Sequence, residues 1–303
     1  MDTSFRAHVA RQVLLIKKQQ NRKRPLDLTK LPKRPKGESA LRKAVISRIL
    51  EIETETRYYG GVECEWVVPK KRHSEMVLYY LHGGAYIGGS PATHRYFISQ
   101  ITKRAQCSAV VIDYRLAPEN TFPAAVIDAV KSYRGLLESG VEARNIVLGG
   151  DSAGGGLALA LVQELKKLGL ALPRRIFLLS PWTDLTGSGS SVMTNSKIDP
   201  WLNSDGISLT AKLYLGENDP SHPLASPLFG NLDDCSETII FVGSDEILFD
   251  DSLRLYDNLA RIGIRCKLII GEHLWHVWPL FPIPEAKATW NAIASFLNFG
   301  LST

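Results

Sequence analysis

Six short apolar runs punctuate the chain after residue 75: 76–81 (MVLYYL), 108–112 (SAVVI), 145–148 (NIVL), 176–180 (IFLLS), 238–242 (TIIFV) and 266–270 (CKLII). Continuous apolar runs of this length suit strands buried on both faces of a parallel sheet, because alternation is needed only where one face meets water. Helical patterns lie between them, at 93–105, 122–138, 153–168, 251–262 and 285–298. Parallel neighbours need crossovers, so this alternation predicts an α/β sheet covered by helices. Residues 55–68 (ETRYYGGVECEWVV) read as an initial hairpin that turns at Gly60-Gly61.

Two regions depart from the rhythm. Residues 184–236 hold no convincing buried strand, and they read as an excursion from the sheet. Excursions at the carboxyl ends of strands in an open α/β sheet tend to cover the ligand site. The other is the N-terminus, where residues 1–50 carry 14 Lys and Arg against 3 Asp and Glu. The rest of the chain is net acidic, although the whole carries +5. Phe5, Val9, Val13 and Ile16 recur there at helical spacing, which predicts a helix packed on the protein by that stripe. A basic amphipathic helix of this kind can also touch an anionic membrane surface. No basic groove interleaved with aromatics points to nucleic acid. Residues 21–40 read as a Pro-rich connector, and 38–50 as a second helix. The N-terminus lacks the pattern of a secretory signal, and no apolar stretch approaches the ~20 residues that span a bilayer. The four cysteines are widely spaced, which fits reduced thiols in a cytoplasmic protein.

The strongest local signal for chemistry is NIVLGGDSAGGGLALA. A strand enters Gly150-Asp151-Ser152-Ala153-Gly154, and a helix leaves it. Gly-x-Ser-x-Gly in that setting is a nucleophile elbow, with glycines two residues either side because the turn leaves no room for larger side chains. The dinucleotide and phosphate-loop fingerprints require other spacings or a lysine that is missing here. Upstream, the strand YYL ends in His82-Gly83-Gly84-Ala85. A serine attacking an acyl carbon needs donors for the oxyanion, and a glycine-rich loop offers backbone N–H groups at close approach. Gly83, Gly84 and Ala85, together with Ala153 after the serine, are the candidate hole, and His82 is read as an orienter of the loop. A base must then follow the last strand, in the chain order serine, acid, histidine. His273 and His276, in GEHLWHVW, both qualify, whereas His8, His73, His94 and His222 do not. No clustered Cys or carboxylate completes a metal site around them.

HGGAY, DYRLAPE, FPAA, GDSAGG and SPWTDL, with YLGENDP and GSDEILFDDS, together resemble the hormone-sensitive-lipase-like family of α/β-hydrolase carboxylesterases, in its GDSAG branch. The match runs in order from about residue 76 to 280. The resemblance implies an α/β-hydrolase fold with a mostly parallel, eight-stranded sheet and a helical cap. Residues 51–303 would be the catalytic domain, while 1–50 and 185–236 would build the cap. It implies a serine nucleophile, no cofactor and no metal. By family position Gly84 and Ala85 donate to the oxyanion and Gly83 gives the turn. The family's commonest loop has a third glycine where this chain has Ala85.

The resemblance also selects His276 over His273, since the family's base precedes a small or apolar residue and an aromatic. For the acid it favours Asp245, after the strand TIIFV, over Asp184 in SPWTDL. Asp250 and Asp251 read as helix-opening carboxylates. Tyr86, Trp182, Trp201 and Trp278 are the candidate pocket lining, by an aromatic environment suited to apolar acyl or alcohol groups. The function implied is hydrolysis of short- to medium-chain acyl esters through an acyl-enzyme. Deacetylation of a metabolite or opening of a lactone would use the same machinery. A receptor that kept the fold and lost catalysis is disfavoured by the presence of serine, acid and histidine together. A small-molecule ester is the expected partner, and the family's habit of pairing through the last strand and helix makes a homodimer a further expectation.

Overall fold

The computed structural model describes residues 3–22 and 38–301. Eight strands form one sheet: β1 (Ile52–Tyr59), β2 (Val62–Pro69), β3 (Val77–Leu81), β4 (Ser108–Ile112), β5 (Ile146–Asp151), β6 (Arg175–Leu179), β7 (Glu237–Gly243) and β8 (Cys266–Gly271). Their order is β1-β2-β4-β3-β5-β6-β7-β8. The β1–β2 hairpin and the β2–β4 pair are antiparallel, and every other pairing is parallel. The hairpin turns where expected. Gly60 and Gly61 take φ of 55° and 81°, and a Cβ on Gly60 would lie 2.4 Å from the Lys131 carbonyl oxygen.

The six apolar runs are six of these strands. β3, β4, β5 and β6 are buried along their whole length. β8 differs from expectation: it is an edge strand and only half-buried, with Ile270 at 39% exposure. Its apolar composition serves one face and the β7 neighbour only.

Long helices cover both faces. α3 (Pro91–Ala105) and α9 (Pro284–Phe299) contribute to one core cluster, with Phe97, Ile101, Trp290 and Ile293 fully buried or nearly so. α4 (Ala124–Glu138), α5 (Ala153–Lys167) and α8 (Phe249–Arg261) close the opposite face over Tyr79, Leu148 and Ile176. Between β6 and β7 the chain makes the expected excursion. It carries the short α6 (Ser191–Thr194) and α7 (Ser204–Leu215), and no strand. Among the described residues no helix is long and apolar enough to cross a membrane.

The N-terminal helices are α1 (Phe5–Arg22) and α2 (Ala40–Leu50). The packing of α1 overturns the expectation drawn from its periodicity. Phe5, Val9, Val13 and Ile16 face solvent, with Phe5 at 82% exposure, whereas Ala7 and Lys18 are buried. The helix docks by small and cationic residues because its contacts offer acceptors. The Ser4 amide and hydroxyl donate to the Glu285 carboxylate, and Arg11 and Lys18 donate to carbonyls of the 184–236 excursion. Residues 23–37, the expected connector, lie outside the described residues.

Candidate active site

Ser152 stands at the end of β5 with φ 52° and ψ −124°, a conformation costly for a residue bearing a Cβ. Its neighbours explain how the turn is held. A Cβ on Gly150 would sit 2.4 Å from the Gly154 carbonyl oxygen, and one on Gly154 would sit 2.1 Å from that of Leu81. The Ser152 amide donates to Leu179 of β6 at 2.8 Å, which anchors the elbow to the sheet.

His276 reaches this serine from the loop after β8, with its Nε2 2.9 Å from Ser152 Oγ. Its Nδ1 lies 2.6 Å from Glu246 Oε2. A carboxylate at Nδ1 accepts a hydrogen bond from the ring N–H there, which keeps the proton on Nδ1 and leaves Nε2 free to accept from the serine hydroxyl. Burial pulls the imidazole pKa down, but the Glu246 hydrogen bond and charge, with the charges of Asp199 and Asp151, outweigh it and raise the value. His273 takes no part; it is exposed, 3.9 Å from Asp245.

The carboxylate at this histidine is therefore Glu246, and Asp245 does not occupy the expected position. Asp245 turns the other way, with its Oδ2 2.8 Å from Arg11 Nη1 and its Oδ1 accepting from Ser244 Oγ at 2.9 Å. Both residues lie in the turn between β7 and α8, where their side chains point to different partners, so only Glu246 faces the imidazole. Glu246 is fully buried and well held. Its Oε1 accepts from Ser180 Oγ at 2.8 Å and from the Gly243 amide at 2.6 Å. Ser180 Oγ in turn accepts from the Val277 amide at 3.0 Å, so one hydroxyl braces the acid and the histidine loop together.

The rival acids are committed elsewhere. Asp184 is bound by Thr186, Ser188 and Arg254. Asp251 accepts from the amides of Thr183 and Asp184 at 2.7 and 2.9 Å. Asp250 accepts from Ser190 and Ser191. Asp250 and Asp251 thus fasten the start of the excursion to α8.

The loop after β3 curls over the elbow. Gly84, Ala85 and Tyr86 all take positive φ, at 126°, 54° and 61°. Gly83 cannot be a donor to substrate, because its amide is already bonded to Asp151 Oδ1 at 2.8 Å. That removes it from the candidate hole and leaves Gly84, Ala85 and Ala153, the last at the first turn of α5, where amides have no intrahelical acceptor. His82 is buried, stacked on Tyr114 at 4.2 Å, with Nδ1 2.8 Å from the Gly83 carbonyl oxygen. Asp151 was not singled out by sequence reasoning. It also accepts from Tyr80 at 2.8 Å and lies 3.2 Å from His94.

The aromatic candidates separate. Trp201 lies against the His276 ring at 5.9 Å and Phe281 at 5.6 Å, and is 42% exposed, so it borders His276 on the solvent side. Tyr86 stacks on Tyr214 at 3.7 Å, and both Tyr86 and Trp182 are buried. Trp278 is a core residue: it is 2% exposed and packs so closely on Gly271 that a Cβ there would meet its ring at 3.0 Å. Among the described residues no cluster of His, Cys, Asp or Glu is arranged to hold a metal ion.

Residues 78–280 match the family described as alpha/beta hydrolase fold. The chain belongs to the hormone-sensitive-lipase-like esterases of that fold. Among these esterases it is 38% identical to an acetyl-hydrolase of Streptomyces hygroscopicus over 79% of this chain and 80% of that protein. It is 35% identical to an esterase of Acinetobacter venetianus over 78% and 79%. Of solved structures, an esterase from the bacterial hormone-sensitive lipase family superimposes with a TM-score of 0.86 at 34% identity, over 100% of both chains. A hormone-sensitive lipase from a metagenome library gives 0.83 at 32%, over 96% and 98%.

Proposed function

We propose that the protein is a serine esterase in which Ser152 is the nucleophile, His276 the general base and Glu246 the acid. The observation that carries this is the hydrogen-bonded relay from Ser152 Oγ through His276 to Glu246, at 2.9 and 2.6 Å. His276 Nε2 takes the hydroxyl proton as Ser152 Oγ attacks the ester carbonyl carbon. Glu246 stabilises the imidazolium, and the amides of Gly84, Ala85 and Ala153 bind the oxyanion. The imidazolium returns the proton to the leaving alcohol, and the serine is left acylated. Water, deprotonated by His276, then attacks the acyl carbon and releases the carboxylic acid. Short- to medium-chain acyl esters are the substrates, and the acetyl-hydrolase among the relatives favours acetyl esters within that range. Hydrolysis of p-nitrophenyl esters from acetate to palmitate tests this, with Ser152→Ala and His276→Ala as controls. Activity peaking at palmitate overturns the acyl range, and activity that survives Ser152→Ala overturns the nucleophile.

A second reading concerns location of action. The outward stripe of Phe5, Val9, Val13 and Ile16, on a segment rich in Lys and Arg, favours weak docking of α1 on an anionic membrane surface. Sedimentation with vesicles of phosphatidylcholine, with and without phosphatidylglycerol, tests it. Wild type should pellet with the anionic vesicles and a Val9→Asp, Val13→Asp variant should not. Equal sedimentation of the two sinks the idea.

A further inference from the structure

Lys18 is a buried cation far from β7 in sequence, and its ammonium donates to three carbonyls of one loop. These are Ser196 at 2.9 Å, Asp199 at 2.6 Å and Leu202 at 2.5 Å. Burying an ammonium is costly unless acceptors surround it, and here the loop curls round it to supply them. Arg11, seven residues earlier on the same face of α1, donates to the Ile198 carbonyl at 2.9 Å and pairs with Asp245. The helix therefore holds residues 196–202 from one side.

The other side of that loop holds the Glu246 backbone. Asn195 Nδ2 donates to the Glu246 carbonyl oxygen at 3.0 Å and to that of Ser244 at 3.2 Å. Asp199 Oδ2 accepts from the Ile247 amide, the next one along, at 3.0 Å. Its Oδ1 accepts from the amides of Trp201 and Leu202, both at 2.8 Å, which sets Trp201 against the His276 ring. The peptide that follows the Glu246 side chain is thus gripped at both its C=O and its N–H by one loop.

We infer that Lys18 is a positioning residue for the catalytic relay: it fixes the loop whose Asn195 and Asp199 side chains hold Glu246 at hydrogen-bond distance from His276. The inference rests on the serine-esterase reading. It makes α1 a part of the active-site support and not only a cover. Removing the ammonium frees the loop, lets the Glu246 peptide drift, and lengthens the bond to Nδ1. An imidazolium with a more distant carboxylate is less stabilised, so its pKa falls.

The test measures kcat, KM and the pH profile of p-nitrophenyl acetate hydrolysis for wild type, Lys18→Met and Asn195→Ala. Lys18→Met should lose about 10- to 100-fold in kcat, the loss that a misplacement on the order of 1 Å causes. KM should change little, and the acid limb of kcat/KM should move to lower pH. Asn195→Ala should show the same signature, and it carries the test alone if Lys18→Met does not fold. A lower melting temperature with unchanged kcat and an unchanged acid limb makes Lys18 a structural tie and overturns the inference. If wild type hydrolyses no ester, the esterase reading has failed, and the inference is then read from the His276 imidazole by NMR titration. A lower pKa in Lys18→Met supports it, and an unchanged one overturns it.

Discussion

Glu246 Oε2 lies 2.6 Å from His276 Nδ1, while the carboxylate of Asp245, its immediate neighbour, points to Arg11 on the N-terminal helix. Two adjacent acids thus have different partners, and replacing each should cost activity to a very different extent.

Replacing Glu246 with Gln should lower kcat by about 10³- to 10⁴-fold, the size of effect seen when the acid of such a relay becomes an amide. Asp245→Asn removes a partly exposed ion pair worth up to ~1 kcal/mol, so its loss should stay within about fivefold. Turnover of one aryl acetate by both variants decides between the two acids. His273→Ala belongs with Asp245→Asn and should leave most activity, whereas His276→Ala should remove nearly all of it.

The pH dependence has a definite sign. His276 must be neutral at Nε2 to accept the serine proton, and its pKa is raised above the ordinary value of 6.5. The rate constant kcat/KM should therefore fall as pH drops through that raised value, at a higher pH than an unperturbed imidazole would give. In Glu246→Gln the acid limb should move down, because the group that holds the proton on the ring has gone. An acid limb that stays put in the variant would contradict the pairing.

Gly154→Ala should destabilise the fold rather than tune the chemistry. The added methyl would stand 2.1 Å from the Leu81 carbonyl oxygen and 2.5 Å from that of His82. Backbone on two sides leaves it nowhere to go, and overpacking of this kind costs about 1–3 kcal/mol. Denaturant unfolding would measure it.

Asp251 supplies a test of stability against pH. Burial pushes its carboxyl up to about 7, from the ordinary value of 3.8. Between those values the folded protein binds a proton that the unfolded chain releases. Stability from this group is then full at low pH and is lost as pH rises towards 7. Asp251→Asn keeps an oxygen for the Thr183 and Asp184 amides and does not titrate. The wild-type melting temperature should fall relative to the variant's between pH 4 and 7. Parallel curves would show that Asp251 is ionised throughout.

The sheet was legible because its strands are buried on both faces, and β3 to β7 stand where apolar runs mark them. The elbow was legible because the turn at Ser152 admits only glycine at positions 150 and 154, which leaves a fixed spacing in the chain. The acid was not. The difference between Asp245 and Glu246 is a single residue of phase at the end of β7, and sequence spacing carries no information on which way the turn releases each side chain. The N-terminal helix misled for another reason. Its periodicity is real, but helical periodicity states only that two faces differ, and here the polar face found acceptors to dock on. Asp151 and Asp199 escaped notice because a buried carboxylate with amide partners looks, in sequence, like any surface aspartate.

The position of Asp151 has a consequence for change in this enzyme. The residue adjoins Ser152, and its carboxylate also holds the Gly83 amide, so the elbow and the loop after β3 hang from one side chain. A Cβ at Gly83 would press to 2.2 Å against that same carboxylate. Neither piece of the machinery is an independent module. In laboratory evolution, a substitution that re-aims the loop will re-aim the serine with it. Gains in one will then come as linked pairs of mutations, with Asp151 the last position to yield.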